Sequence, residues 1–200
     1  MRALYGRHYA ERLRAVAGEV PAGASVLELC CGPGTLYMRH LRGRVSSYTG
    51  LDLNERFVGG LLARGVDARR VDLSAAESLP GADVVVMQAS LYHFLADAQA
   101  VLERMLAAAG DRVIISEPVR NLASSPIPVI GAIGRRAADP GAGAAARRFT
   151  RASLDRLMDS YRDRLIRAFP IPGGREMVYV LAARPPGPGP QRRSGTGAGS

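Results

Sequence analysis

Val26-Leu27-Glu28-Leu29-Cys30-Cys31-Gly32-Pro33-Gly34-Thr35 is an apolar strand that carries an acid, breaks into a glycine-containing turn and passes into a helical pattern. In open α/β sheets ligands bind at the carboxyl edge of the strands, and glycines let the backbone approach a ligand closely. The kind of ligand depends on the acids that follow.

Outward from this junction, apolar runs of strand and helix length alternate. Upstream, Leu4 to Val20 spaces Tyr9, Leu13, Val16, Ala17 and Val20 as one helical stripe, closed by Pro21-Ala22-Gly23. Ser25 to Cys30 reads as the first strand, Leu36 to Leu41 as a short helix and Val45 to Leu53 as a second strand. Asn54 caps a helix through Phe57, Val58, Leu61 and Leu62, with Gly65 as its stop. Ala68 to Leu73 predicts a short third strand. Asp83 to Ala89, with Val84-Val85-Val86-Met87 apolar on both faces, predicts the centre of the sheet. Ala96 to Ala109 reads as a helix ended by Gly110, and Arg112 to Ser116 as a strand before Glu117-Pro118. Such alternation predicts a parallel, doubly wound sheet. It lapses from Val119 to Arg148, where Pro126, Pro128 and Pro140 interrupt it. A helix from Thr150 or Ser153 to Tyr161 follows. Leu165 to Phe169 and Met177 to Ala182 then form an antiparallel hairpin through Pro170-Ile171-Pro172-Gly173-Gly174. From Arg184 onward the Pro/Gly/Ser composition predicts a disordered tail.

A chain of 200 residues, 47% hydrophobic and 22% charged, suits one domain with a substantial core. No apolar run reaches the roughly 18 residues of a membrane span, and a soluble, cytoplasmic protein is expected. Cys30 and Cys31 are adjacent, so they offer neither a loop-closing staple nor a spaced metal site. They read as small buried residues in a reducing compartment, and no metal is expected. The net charge of +9 comes with no lysine at all, and Arg184, Arg192 and Arg193 in the tail take three of the nine, leaving +6 scattered over the folded part. Solvated surface is the ordinary reading of such charge, and no nucleic-acid partner is expected.

Glu28, Asp52 and Asp72 stand at or just beyond the ends of three successive predicted strands. A carboxylate closing a second strand suits the paired hydroxyls of a ribose, and an acid one step further out suits an adenine amine. A nucleoside is the expected ligand. A dinucleotide asks for three glycines in G-x-G-x-x-G spacing; counted from Gly32 the second is Gly34, but the third position holds Tyr37. Pro33 removes a backbone donor and Glu28 adds negative charge, so a ligand with a cationic amino group fits better than a pyrophosphate.

With these residues in place, the chain resembles class I S-adenosylmethionine (SAM) dependent methyltransferases over roughly Val26 to Arg184. Glu28 to Gly34 is similar to the family's E/D-x-G-x-G-x-G signature, with Cys30 in place of the first glycine; Asp52 resembles its ribose acid, and Asp72-Leu73 its adenine contact. The resemblance implies a three-layer, Rossmann-like α/β fold. Its seven-stranded sheet is mostly parallel, with the last strand antiparallel. One domain is implied over residues 1–184, with an N-terminal helix over 1–20, an acceptor lid over 119–149 and a tail over 185–200. It also implies SAM as cofactor, held by Glu28, Cys30, Gly32, Gly34, Asp52, Leu53, Asp72, Leu73 and Gln88.

Since a sulfonium is already activated, the protein must mainly align an acceptor and exclude water, and an O–H or protonated amine also needs a base. His93, in Gln88-Ala89-Ser90-Leu91-Tyr92-His93-Phe94, stands where the family places its substrate-facing loop and is the candidate catalytic residue; a hydrogen-bonded histidine in the following helix start is the plainer alternative. Tyr5, His8, Tyr9, Tyr92 and Glu117 are candidate substrate contacts, although Tyr5 and Tyr9 also suit an amphipathic edge and Glu117 also suits a cap. Ile127, Val129, Ile130 and Ile133 in the irregular segment favour a hydrophobic or aromatic small acceptor. Arg135, Arg136, Arg147, Arg148 and Arg151 offer cations to an anionic group or a membrane surface, with solvated charge as the ordinary reading. Methyl transfer to an oxygen or nitrogen is therefore the expected activity. A non-catalytic SAM-binding sensor or scaffold is the alternative, and a nicotinamide oxidoreductase is disfavoured by Tyr37 and Asp72. The oligomeric state is left open by the residues.

Overall fold

A computed structural model describes residues 8–119, 148–172 and 174–185. Tyr5, the segment 120–147 of the expected lid with its isoleucines and Arg135, Arg136 and Arg147, Gly173 and the tail from 186 lie outside the described residues.

Helix α1 (His8–Gly18) precedes β1 (Ser25–Leu29), a single wide helical turn (Tyr37–Leu41), β2 (Ser47–Asp52), α2 (Glu55–Leu62) and β3 (Ala68–Arg70). Then come β4 (Ala82–Gln88), a short turn (Leu91–Phe94), α3 (Ala98–Ala108), β5 (Ala109–Pro118), α4 (Arg151–Asp159), β6 (Leu165–Pro170) and β7 (Glu176–Ala182). The strands form a seven-stranded sheet in the order β3-β2-β1-β4-β5-β7-β6. Only β7 opposes its neighbours, pairing antiparallel with both β5 and β6. The order reverses between β1 and β4, which creates a crevice at their carboxyl ends.

Alternate residues of the central strands feed two apolar layers. Val84 and Val86 of β4 pack with Val16 of α1 and Leu61 of α2, while Val85 and Met87 pack with Leu102 and Met105 of α3 and Leu154 and Met158 of α4. A strand buried on both faces needs apolar residues at every position, which is what β4 supplies. Helix α2 starts where Asn54 Oδ1 accepts the Arg56 N–H at 3.0 Å. Helix α4 starts on a reciprocal pair, with the Ser153 N–H donating to Thr150 Oγ1 at 3.1 Å and the Thr150 N–H to Ser153 Oγ at 2.9 Å. Among the described residues no helix is long and apolar enough to cross a membrane.

Several boundaries differ from expectation for local reasons. The second strand ends at Asp52 rather than Leu53, because Asp52 Oδ1 accepts the Asn54 N–H at 2.8 Å and turns the chain. The third ends at Arg70 rather than Leu73, since Asp72 Oδ1 accepts the Ser74 N–H at 2.9 Å and opens a turn of its own. Gly110 does not stop α3: β5 begins at Ala109, and its pairing with β7 carries it through Glu117 and Pro118.

Candidate functional site

The turn after β1 takes its shape from three left-handed residues, Cys30 (φ 51°), Gly32 (φ 55°) and Gly34 (φ 66°). It is stitched to the neighbouring strand: the Cys31 N–H donates to the Leu51 carbonyl at 3.0 Å, and the Gly32 N–H to Asp52 Oδ2 at 2.8 Å. Gly34 lets the turn close on α2, where a Cβ would lie 2.5 Å from Leu61 Cδ2. Cys30 adopts this conformation without being glycine, as does Ala89 (φ 48°) at the end of β4. Two such residues therefore flank the β1/β4 crevice, and backbone strain of this kind gathers at ligand sites.

Beneath the turn, Glu28 is buried and accepts two hydrogen bonds, from Tyr48 Oη to Oε2 at 2.7 Å and from Gln88 Nε2 to Oε1 at 2.9 Å. Burial pushes its carboxyl up to about 7, although the two hydrogen bonds and the Arg12 guanidinium pull it back. Gln88 is itself buried, and its Oε1 makes no hydrogen bond among the described residues. Gly50 faces Glu28 across the β1–β2 pair; a Cβ there would lie 2.7 Å from Cys31 Sγ and 3.1 Å from Tyr48 Oη. Desolvation holds both thiols neutral, with Cys30 raised to about 12 and Cys31 raised as well.

The buried polar row continues under α1. Ser116 Oγ donates to Glu176 Oε1 at 2.7 Å, and Arg12 Nε lies 3.4 Å from the same oxygen. Glu117 points to the opposite face, where its oxygens accept the N–H groups of Ser90 (3.1 Å), Leu91 (3.0 Å) and Tyr92 (3.3 Å). Burial raises it to about 8, while the Leu91 and Tyr92 N–H groups lower it. The carboxylate thus holds the turn that carries His93. His93 is solvent-accessible, its ring 4.1 Å from that of Tyr92, and partial desolvation followed by the Arg148 charge keeps its pKa below the usual value.

The structure joins Glu28 to Gln88, Gly32 to Asp52, and Tyr92 to both His93 and Glu117. Asp72 stays apart, exposed two residues beyond β3, and Leu73 is buried in the core, whereas Leu53 is 54% exposed beside Asp52. His8 and Tyr9 belong to the first turn of α1. Sequence reading missed Tyr48, Gly50, Arg12, Ser116 and Glu176. A signal existed for Tyr48 and Gly50, which share Asp52's face by the two-residue strand period. None existed for Arg12 and Glu176, which meet only because α1 crosses the sheet.

A doubly wound sheet with β7 inserted antiparallel, and an acid-and-glycine junction at its switch point, defines the class I, Rossmann-like methyltransferase fold. Residues 1–167 match the methyltransferase domain family, and the chain belongs to it. It is similar in structure to DhpI in complex with SAH, at TM-score 0.67 and 20% identity over 94% of this chain and 89% of that one. It is also similar to magnesium protoporphyrin IX methyltransferase (ChlM) from Synechocystis PCC 6803 with bound SAH, at TM-score 0.63 and 18% identity over 90% and 91%. A third likeness is to the N-methyltransferase NodS from Bradyrhizobium japonicum WM9, at TM-score 0.60 and 13% identity over 88% and 93%. No curated protein matches the chain.

Proposed function

We propose that this protein transfers a methyl group from S-adenosyl-L-methionine to an oxygen or nitrogen of a small hydrophobic or aromatic acceptor, with His93 as the base. The observation that carries the reading is the buried Glu28–Gln88 pair at the β1/β4 crevice, where Gln88 Oε1 is an acceptor with no partner among the described residues. A buried acceptor of that kind asks for a donor, and beside an acid the fitting donor is a cationic amino group. A carboxylate offers about four lone-pair positions, so Asp52, with one N–H on each oxygen, retains capacity for two ribose hydroxyls. Leu53 offers an exposed apolar side chain to the base, and Asp72 an acceptor to its amine.

When bound, the cofactor supplies a methyl group on a sulfonium, so transfer needs an acceptor lone pair, a departing thioether that keeps the carbon–sulfur electron pair, and a destination for the acceptor's proton. His93 is that destination: its ring is solvent-accessible beside Tyr92, and desolvation followed by the Arg148 charge favours the neutral form, whose free ring nitrogen can accept a proton. The free Cys30 and Cys31 fit a cytoplasmic setting.

Calorimetric titration with SAM and with NAD tests the binding; binding of NAD alone overturns the reading. A metabolite screen that follows S-adenosylhomocysteine release tests turnover. Cofactor binding without release from any acceptor favours a sensor or scaffold.

A further inference from the structure

Arg148 stands out among the arginines that flank the acceptor side. Its guanidinium lies over the Tyr92 ring, 4.2 Å from the centroid, and it is half-buried just ahead of α4. It makes no hydrogen bond or ion pair among the described residues. Arg151, three positions on, is tied to Asp155 at 2.7 Å. The platform beneath Arg148 is rigid: Tyr92 is buried, its N–H is held by Glu117 Oε1, and its ring meets that of His93. Among the described residues no ion pair joins Glu117 to Arg148, and the Glu117 oxygens accept three backbone N–H groups.

A guanidinium stacked on an aromatic ring has its flat face covered, while the N–H groups along its edge still project in its plane. That fork matches the two oxygens of a carboxylate or phosphate. Partial burial removes water from the cation and strengthens the pull on such a partner. We infer that Arg148 anchors an oxyanion of the methyl acceptor, so that the acceptor is an anionic aromatic or apolar small molecule whose charged group is distinct from the atom methylated. The separation follows from the chemistry, because hydrogen bonds from a guanidinium draw electron density from an oxygen and weaken it as a nucleophile. The anchor stands beside His93, which takes the proton, so one end of the acceptor is gripped while the other is activated. This inference rests on the methyl-transfer reading above.

The test titrates the full chain, saturated with S-adenosylhomocysteine, with 4-hydroxybenzoate, phenyl phosphate and the neutral 4-hydroxybenzamide. At least one anion is expected to bind about tenfold or more tightly than the amide, the worth of a charge-assisted hydrogen bond. Whichever anion binds better identifies the oxyanion. Arg148→Gln is expected to abolish the preference with SAM affinity intact, and Arg148→Lys to restore part of it. Equal binding of acid and amide, no binding of either anion, or a preference that survives Arg148→Gln overturns the anchor. Failure of the wild-type chain to bind S-adenosylhomocysteine overturns the methyl-transfer reading instead, and is seen before any acceptor probe is added.

Discussion

The backbone N–H of Gly32 donates to Asp52 Oδ2 across 2.8 Å, so the turn after β1 is held by the last residue of β2. One side chain thereby shapes the glycine turn, and in the proposed function its remaining lone pairs receive the ribose. Asp52→Ala removes both, and SAM affinity is expected to fall by about 1–3 kcal/mol, the usual cost of leaving buried polar partners unmet. Calorimetry reads the change; an unaltered dissociation constant means the ribose is held elsewhere.

Cys30 is left-handed at φ 51°, a conformation that costs a residue with a Cβ more than it costs glycine. Cys30→Gly is expected to stabilise the fold by about 1 kcal/mol in a denaturant titration, reduced by the extra chain entropy glycine carries when unfolded. Destabilisation would mean that the packing of the half-buried thiol outweighs the backbone strain.

Glu28, raised by burial from 4.5 to about 7, links folding to pH. Between those values the native state binds the proton and the unfolded state does not, so Glu28's contribution is fully present below 4.5 and is lost as pH rises through about 7. Wild-type stability relative to Glu28→Gln is therefore expected to decline across that window. Ligand binding has the opposite slope: a cationic group beside Glu28 favours its ionised form, so SAM affinity should rise through pH 7 with proton release. Calorimetry in buffers of different ionisation heat detects the proton, and a pH-independent affinity refutes the contact.

His93→Ala is expected to lower turnover by about 10²–10⁴-fold while SAM affinity holds, the range ordinary for loss of a positioned base. Because desolvation and then the Arg148 charge lower the His93 pKa, the acid limb of the wild-type rate profile should have its midpoint below 6.5. Full turnover in the variant would reduce His93 to packing against Tyr92.

The architecture was largely legible from local pattern. Val84 to Met87 are apolar without alternation, which marks a strand buried on both faces, and the strand–helix spacing around them allows little besides a doubly wound sheet. The strand ends were less so: Asp52 and Asp72 turn the chain through their own side chains, and that bonding competes with strand continuation invisibly to periodicity.

By itself, then, the sequence determined the sheet, its central strand and the acid-glycine junction, because strand and helix periods and turn residues act over a few positions. Tertiary structure alone decided what each polar group faces. Glu28 meets Tyr48 twenty residues away and Gln88 sixty away. Glu117 is a cap for the His93 turn because β5 lies beside β4. Arg148 and Arg151 are alike in composition and charge, yet one pairs with Asp155 in its own helix and the other lies on Tyr92. Hydrogen bonds and ring contacts are set by distance in space, and only chain crossing brings such partners within reach.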